Sequence, residues 1–336
     1  MYVLVGFGER LKKDYKRDCN VMSKKIYRTI KKTIKYLISP KKYEKGIEVC
    51  GDHNDFIVRF IADRMHIECN KGDMACFSVY GTVPAIIRLN RAKRKFFYTA
   101  ENTHVPESLW QQFEDIHLKE PSLSLSLGFD YYEHPRYLRI PYWMERPFGA
   151  LATREDVADF INQHNYSSMA GRDKACAFVC KTDYFGDRAE MADMVAQVMP
   201  MSYPSDFRHN DDDMRGKYNN DKIAYLRQFK FNLCPENTNN KGYVTEKIFE
   251  AIKAGCVPIY WGNEGYPEPD ILNPKAIVYL DKEHPEEGLA LIKKLYEDPK
   301  AYAEFVAQPR FLPNAAENIY AYYERLENKI NMLKLH

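Results

Sequence analysis

Lys247 stands where a helix should begin, with Ile248, Ala251, Ile252 and Gly255 recurring behind it at helical spacing. A lysine in a first turn is unfavourable for the helix dipole alone. It makes sense if an anion shares the site, because a helix start exposes unpaired N–H groups and partial positive charge. The plainer alternative is a solvated pair of Glu246 and Lys247 in an ordinary strand–helix–strand unit. A second acid, Glu101, stands two residues beyond the strand-like run Lys95–Thr99. Open α/β sheets bind ligands beyond the carboxyl ends of their strands, which is where that acid falls. Asp211-Asp212-Asp213 has a spacing suited to a divalent cation, but no strand precedes it and it reads as a solvated acidic loop.

The elements that must hold these groups can be traced in the pattern. Phe229, Phe231 and Leu233 alternate with polar residues as a strand does. An Asn-rich loop, Pro235 to Gly242, separates that strand from the helix, which Gly255 ends. Val257 to Trp261 returns as a buried strand. Further strands are expected at Ala75–Gly81, Lys95–Thr99, Ala175–Lys181 and Ala276–Leu280, with Asp55–Ile61 as a strand or a short helix. Helices are expected at Arg154–Asn162, capped by Thr153 with Asp156 at the third position, at Arg188–Val198, at Pro285–Tyr296 and from about Ala315 onward. Ser202 to Asn220 is polar. Pro141 to Gly149 reads as a linker. No internal repeat or clear heptad run is present.

The chain has 336 residues, 45% hydrophobic, and a formal charge of +2, which suits about two domains with ordinary cores. Its eight cysteines lack CxxC spacing and a His cluster, so zinc is not expected and free thiols in a reducing compartment are. Residues 10–45 are basic, with fourteen Lys and Arg against three acids. Ile26, Ile30, Ile34, Leu37 and Ile38 form an apolar stripe there, in a helix of about residues 20–40 that Pro40 ends. Two readings stand: a helix lying on an anionic membrane surface, or one docked on the protein with its lysines solvated. Nucleic acid is not an expected partner, since the rest of the chain is not basic and no reader motif occurs.

The run Glu236-Asn237, then Tyr243-Val244-Thr245-Glu246-Lys247, then Pro258-Ile259-Tyr260-Trp261-Gly262 resembles the donor-binding motif of the α1,3-fucosyltransferases, glycosyltransferase family 10, of bacterial type. Phe96 to Asn102, with Leu125–Tyr132 and Arg136–Pro141, is similar to the front half of that family. The resemblance implies the α/β GT-B arrangement, with two Rossmann-like domains facing across a cleft. It places an acceptor-binding domain at 1–148, a GDP-fucose-binding domain at 149–310, and a C-terminal helix at 311–336 packing back on the front domain.

The resemblance further implies transfer of L-fucose from GDP-fucose, with inversion, to the 3-OH of N-acetylglucosamine in a lactosamine-type glycan. Glu101 is the implied general base. Lys247 and Arg188 would stabilise the GDP leaving group. Asn237, Tyr243, Thr245 and Glu246 would hold the donor, and Glu236 is read as structural. Asn102 and Trp110 are expected at the acceptor. No metal site and no cofactor is implied, with Mn²⁺ or Mg²⁺ as a stimulant at most. With no leader or membrane span visible, the expected location is the cytoplasm, with peripheral contact at the inner membrane face through helix 20–40. The alternatives are another GDP-deoxysugar as donor, or a non-catalytic binder of nucleotide sugars.

Overall fold

The computed structural model describes residues 26–105, 111–167 and 171–333. Two β-sheets organise them. The front sheet joins β1 (Tyr43–Glu44), β2 (Ile47–Cys50), β3 (Met74–Ser78), β4 (Arg94–Tyr98), β5 (Leu125–Gly128) and β6 (Tyr137–Arg139) in simple chain order. All its pairs are parallel except the short β1–β2 hairpin. β3 is buried at every position because both faces of the sheet are covered. Cys76, Phe96, Tyr98, Leu125 and Leu127 point into one core, while Ala75, Phe77 and Phe97 point into another.

The rear sheet contains β7 (Lys174–Ala177), β8 (Met201–Ser202), β9 (Phe229–Leu233), β10 (Val257–Tyr260) and β11 (Val278–Tyr279), ordered β11-β10-β9-β7-β8. From β7 the chain moves to one side, and from β9 to the other. The two strands are neighbours, Cys176 facing Phe231, so their exit loops diverge and open a crevice. The front sheet has no such reversal. The helix Glu246–Ala254 lies between β9 and β10, and Gly255 closes it in the left-handed conformation at φ +77°.

Of the two forms expected for Asp55–Ile61 the helical one is adopted: Asp55–Arg59 runs into a π turn, Phe60–Arg64, that buries Phe60 and Ile61. The polar stretch before Asn220 includes a helical turn, Asp213–Gly216. Pro141–Gly149 is no loose linker. Trp143 and Met144 within it are fully buried, and the Trp143 ring stacks on Phe249 of the helix Glu246–Ala254 with centroids 5.0 Å apart. Proline and glycine mark a turn there, but the apolar side chains between them make it a wedge between the halves. The Thr153–Asp156 capping box is formed in both directions at the start of Arg154–His164.

One apolar core runs through both halves. It includes Tyr98 and Leu127 of the front sheet, Ile248, Phe249 and Ile252 of the rear helix, and Ile319, Tyr323, Leu326 and Ile330 of the C-terminal helix Ala315–Met332. That last helix returns to the front half, where Arg64 pairs with Glu327 at 2.6 Å and Lys329 donates to the carbonyl of Pro135. Among the described residues no helix is long and apolar enough to cross a membrane.

A buried ion pair ties the halves beside this core. Arg139, the last residue of β6, donates to Glu268 at 2.6 and 3.2 Å, to the Gly242 carbonyl at 3.0 Å and to the Phe129 carbonyl at 2.8 Å. Trp143 Nε1 adds a bond to Glu268 at 2.8 Å. Burial alone would lower the guanidinium's pKa, and the Glu268 carboxylate reverses this and holds it above its ordinary value. Removing one partner leaves the other charge buried and unpaired, so Glu268→Ala should destabilise by about 3–5 kcal/mol. Adding Arg139→Met should recover part of that loss. Urea melts of the single and double variants check both expectations.

Candidate active site

The carboxyl ends of the two sheets face each other across a cavity of about 310 Å³. Small-molecule sites typically measure about 300–1,000 Å³. Its front wall comes from the exits of β3 and β4, which pair in register with Ser78 opposite Tyr98. Tyr80 and Glu101 therefore emerge side by side, and the Tyr80 hydroxyl donates to Glu101 Oε1. The Glu101 amide donates to Thr99 Oγ1 at 3.0 Å, which fixes the turn that presents the carboxylate.

The rear wall comes from the exits of β7 and β9, on either side of the crevice. Cys180, Lys181, Thr182 and Arg188 follow β7, and Asn237, Tyr243, Thr245, Glu246 and Lys247 follow β9. Arg188 lies in the first turn of Asp187–Ala196 and donates to the Thr182 carbonyl at 2.7 Å. Glu236 is completely buried and organises the helix start. It accepts from the Thr245 amide and hydroxyl, each at 2.7 Å, and from Lys247 Nζ at 3.0 Å. Gly262 lies against it, and a Cβ there would approach the Glu236 side chain to 2.7 Å.

The Lys and Arg side chains that line the cavity are all on its rear wall. Burial pulls the Lys247 ammonium's pKa down, but the carboxylates of Glu236 and Glu246 outweigh it, and the group stays charged above its ordinary value. Burial raises the Glu246 carboxyl, yet Lys247 and Lys222 bring it below the usual range, so it is ionised. Tyr243 is buried edge-on against Phe129, with centroids 5.1 Å apart, and burial followed by the charge of Glu101 pushes its phenol well up. The cavity thus sets Lys247, Lys181 and Arg188 at the rear, with Glu246 beside Lys247, against Glu101 at the front.

Seven of the nine residues singled out in the sequence line this one cavity: Glu101, Arg188, Asn237, Tyr243, Thr245, Glu246 and Lys247. Thr245 reaches the wall with its hydroxyl already committed to Glu236. Asn102 does not face the cavity. It is buried, and its amide nitrogen donates to Thr238 Oγ1 at 2.8 Å and to Asn240, so it pins the Asn-rich loop to the front half. Trp110 lies outside the described residues. The Asp211–Asp213 triplet is at the amino end of β7, away from the cavity. Lys174 pairs with Asp211 at 3.2 Å and with Asp213 at 2.9 Å, and the Tyr225 hydroxyl donates to Asp211.

The residue types and their motif order correspond to a known family. The model of the glycosyltransferase family 10 (fucosyltransferase) C-terminal region matches residues 170–317. The similarity to this family thus lies in the rear half of the chain. The matched region contains the whole rear wall. Over 264 residues the chain is 26% identical to the α-(1,3)-fucosyltransferase FucT of Helicobacter pylori, which covers 70% of this chain and 50% of that one. The chain thus spans about half the length of that relative. It is similar to a crystal structure of an α1,3-fucosyltransferase, with TM-score 0.57 and 20% identity over 85% of this chain and 92% of that one. A crystal structure of α1,3-fucosyltransferase with GDP-fucose resembles it with TM-score 0.54 and 21% identity over 85% and 93%. These likenesses show the GT-B fold.

Among the cavity's carboxylates, Glu145 was not singled out in the sequence. Glu145 follows β6 within the wedge and lines the cavity, 3.5 Å from the Tyr98 hydroxyl. The rule that points to Glu101, an acid beyond the carboxyl end of a parallel strand, would have found it had the segment not been read as linker. Burial pushes its pKa up to about 7. Asp55 and Glu246 add to the rise, and Arg146 and the Tyr98 hydroxyl oppose it. The folded chain therefore keeps a proton that the unfolded chain has lost, and stability falls as pH rises from about 4.5 toward 7. Glu145→Gln should be more stable than the parent at pH 8, by about 1–3 kcal/mol, with the gap closing toward pH 5. Thermal melts across that range test it. A gap independent of pH would show that the carboxyl is not held neutral by its surroundings.

Proposed function

We propose that this protein transfers L-fucose from GDP-fucose to a sugar hydroxyl with inversion. The acceptor position we assign is the 3-OH of N-acetylglucosamine in a lactosamine-type glycan. The observation that carries this reading is the opposition of Glu101 and the Lys247–Arg188 pair across one cavity at the crevice of the rear sheet. The family match of the rear half and the likeness to an α1,3-fucosyltransferase structure with GDP-fucose support the donor.

In this reading the GDP pyrophosphate lies against Lys247, Arg188 and the start of the helix Glu246–Ala254, where Thr245 makes no side-chain capping bond. Glu101 takes the proton of the acceptor hydroxyl as its oxygen bonds to the fucose anomeric carbon. The bond from that carbon to the phosphate oxygen breaks, and the charge released on GDP meets cations already in place. The sugar passes through a cation-like state, which the ionised Glu246 favours. Asn237 and Tyr243 complete the donor side of the wall. No metal ion is required by this scheme. We assign any stimulation by Mn²⁺ or Mg²⁺ to the GDP product, since Asp211 and Asp213 are engaged by Lys174 and Asp212 by His209. The seven described cysteines are free, which supports our placing the enzyme in the cytoplasm.

The test is GDP release from GDP-fucose with N-acetyllactosamine, followed by linkage analysis of the product. Turnover only with another GDP-sugar would overturn the donor, and binding without turnover would overturn catalysis. Glu101→Gln should keep GDP-fucose affinity and lose kcat by about 10²–10⁴-fold. Lys247→Ala should weaken both binding and turnover. Normal turnover in Glu101→Gln would remove that residue as the base.

A further inference from the structure

The helix of residues 26–38 sits on the front half with its polar side inward. Tyr36 donates to Glu48 Oε1 at 2.9 Å and accepts from Asn90 at 2.8 Å, and Lys32 Nζ donates to the Thr82 carbonyl at 3.2 Å. The opposite side is apolar and exposed. Ile30 and Ile34 each show 52% of their surface, Ile26 54%, Leu37 58%, Tyr27 67% and Ile38 78%. At about 100° per residue these six side chains share an arc of about 120°. Lys31, Lys35 and Arg28 follow directly along one edge of that arc, and all three are exposed. The helix contains no acid, and Lys41 and Lys42 follow it.

An amphipathic helix packed for its own fold turns its apolar stripe to the core. Here the stripe faces outward, so folding alone does not account for six large apolar side chains in one patch. We infer that this helix lays its outward face into a bilayer whose surface bears anionic headgroups. Charge decides between occupants. A cationic edge without acids complements an anionic surface, with the isoleucines entering the acyl boundary and the lysines staying at headgroup level. A second copy packed antiparallel on this face would instead set two basic edges beside each other, and neither copy's helix offers an acid to the other. The helix is also anchored next to the cavity: Thr82, which holds Lys32, follows two residues after Tyr80 of the front wall. If the transfer reading above holds, a glycan acceptor carried on a lipid would reach the cavity from this side. The docking itself does not depend on that reading.

Vesicle sedimentation of the full chain tests the inference without any turnover assay. The protein should pellet with phosphatidylcholine vesicles containing about one-third phosphatidylglycerol and stay in solution with phosphatidylcholine alone. Ile30→Glu combined with Ile34→Glu should reduce binding to the mixed vesicles by at least about tenfold. Lys31→Glu with Lys35→Glu should reduce it as well, and added salt should weaken the parent's binding. All four side chains are exposed, so circular dichroism and the thermal midpoint should match the parent. Equal pelleting of parent and variants would overturn the inference. So would a parent that ignores vesicles but forms a dimer that Ile30→Glu and Ile34→Glu dissociate in light scattering.

Discussion

The buried carboxylate of Glu236 is the contact on which the rear wall depends. It sits just past β9 and holds two groups at the start of the following helix: the Thr245 backbone and hydroxyl, and the Lys247 ammonium. Its own amide donates to the Trp261 carbonyl at 2.8 Å, so one residue joins both strand exits to the helix. Burying a carboxylate is costly unless its oxygens are bonded and an opposite charge is close. Glu236 meets both conditions, and the arrangement in turn prevents Lys247 from swinging freely. A cation aimed into the cavity is thereby set before any ligand arrives. That is the condition under which electrostatic stabilisation is most effective, because nothing must reorganise at the moment of reaction.

The front wall is held at a fixed distance from this cation by packing. Trp143 on Phe249 and Arg139 on Glu268 join the halves within a continuous core. A rigid-body opening of the cleft would have to separate both contacts. The C-terminal helix adds a third tie, since it follows the rear sheet in the chain but packs on the front half. The cavity is thus the space left between two loop clusters whose scaffolds are already fixed to each other. Its lysines and arginine come from the rear half alone, and its acids come from both halves, because the two sheets contribute different residues beyond their strand ends.

Helix 26–38 shows how the same forces act where no core is available. Its polar side chains find buried partners on the front half, and its apolar side chains find none there. Hydrophobic periodicity in the sequence identifies such a stripe but does not reveal which way it faces. The inward direction is the usual outcome only because most helices have nothing else to cover them.

Strand and helix periods were legible from the sequence because they are local. β9, its helix and β10 follow from alternation, from helical spacing and from a glycine that closes the helix at positive φ. The cation at the helix start and the acid beyond β4 were legible for a similar reason: backbone direction alone decides that they emerge at one end of a sheet. Three things were not legible. Asn102 was turned away from the cavity by partners more than a hundred residues distant, Glu145 was hidden in a segment whose Pro and Gly suggest a linker, and the Arg139–Glu268 pair joins residues that nothing in their neighbourhoods connects. Short-range pattern determines what each segment can be. Which side chains become neighbours depends on the packing of two separate sheets against each other, and only the tertiary structure decides that.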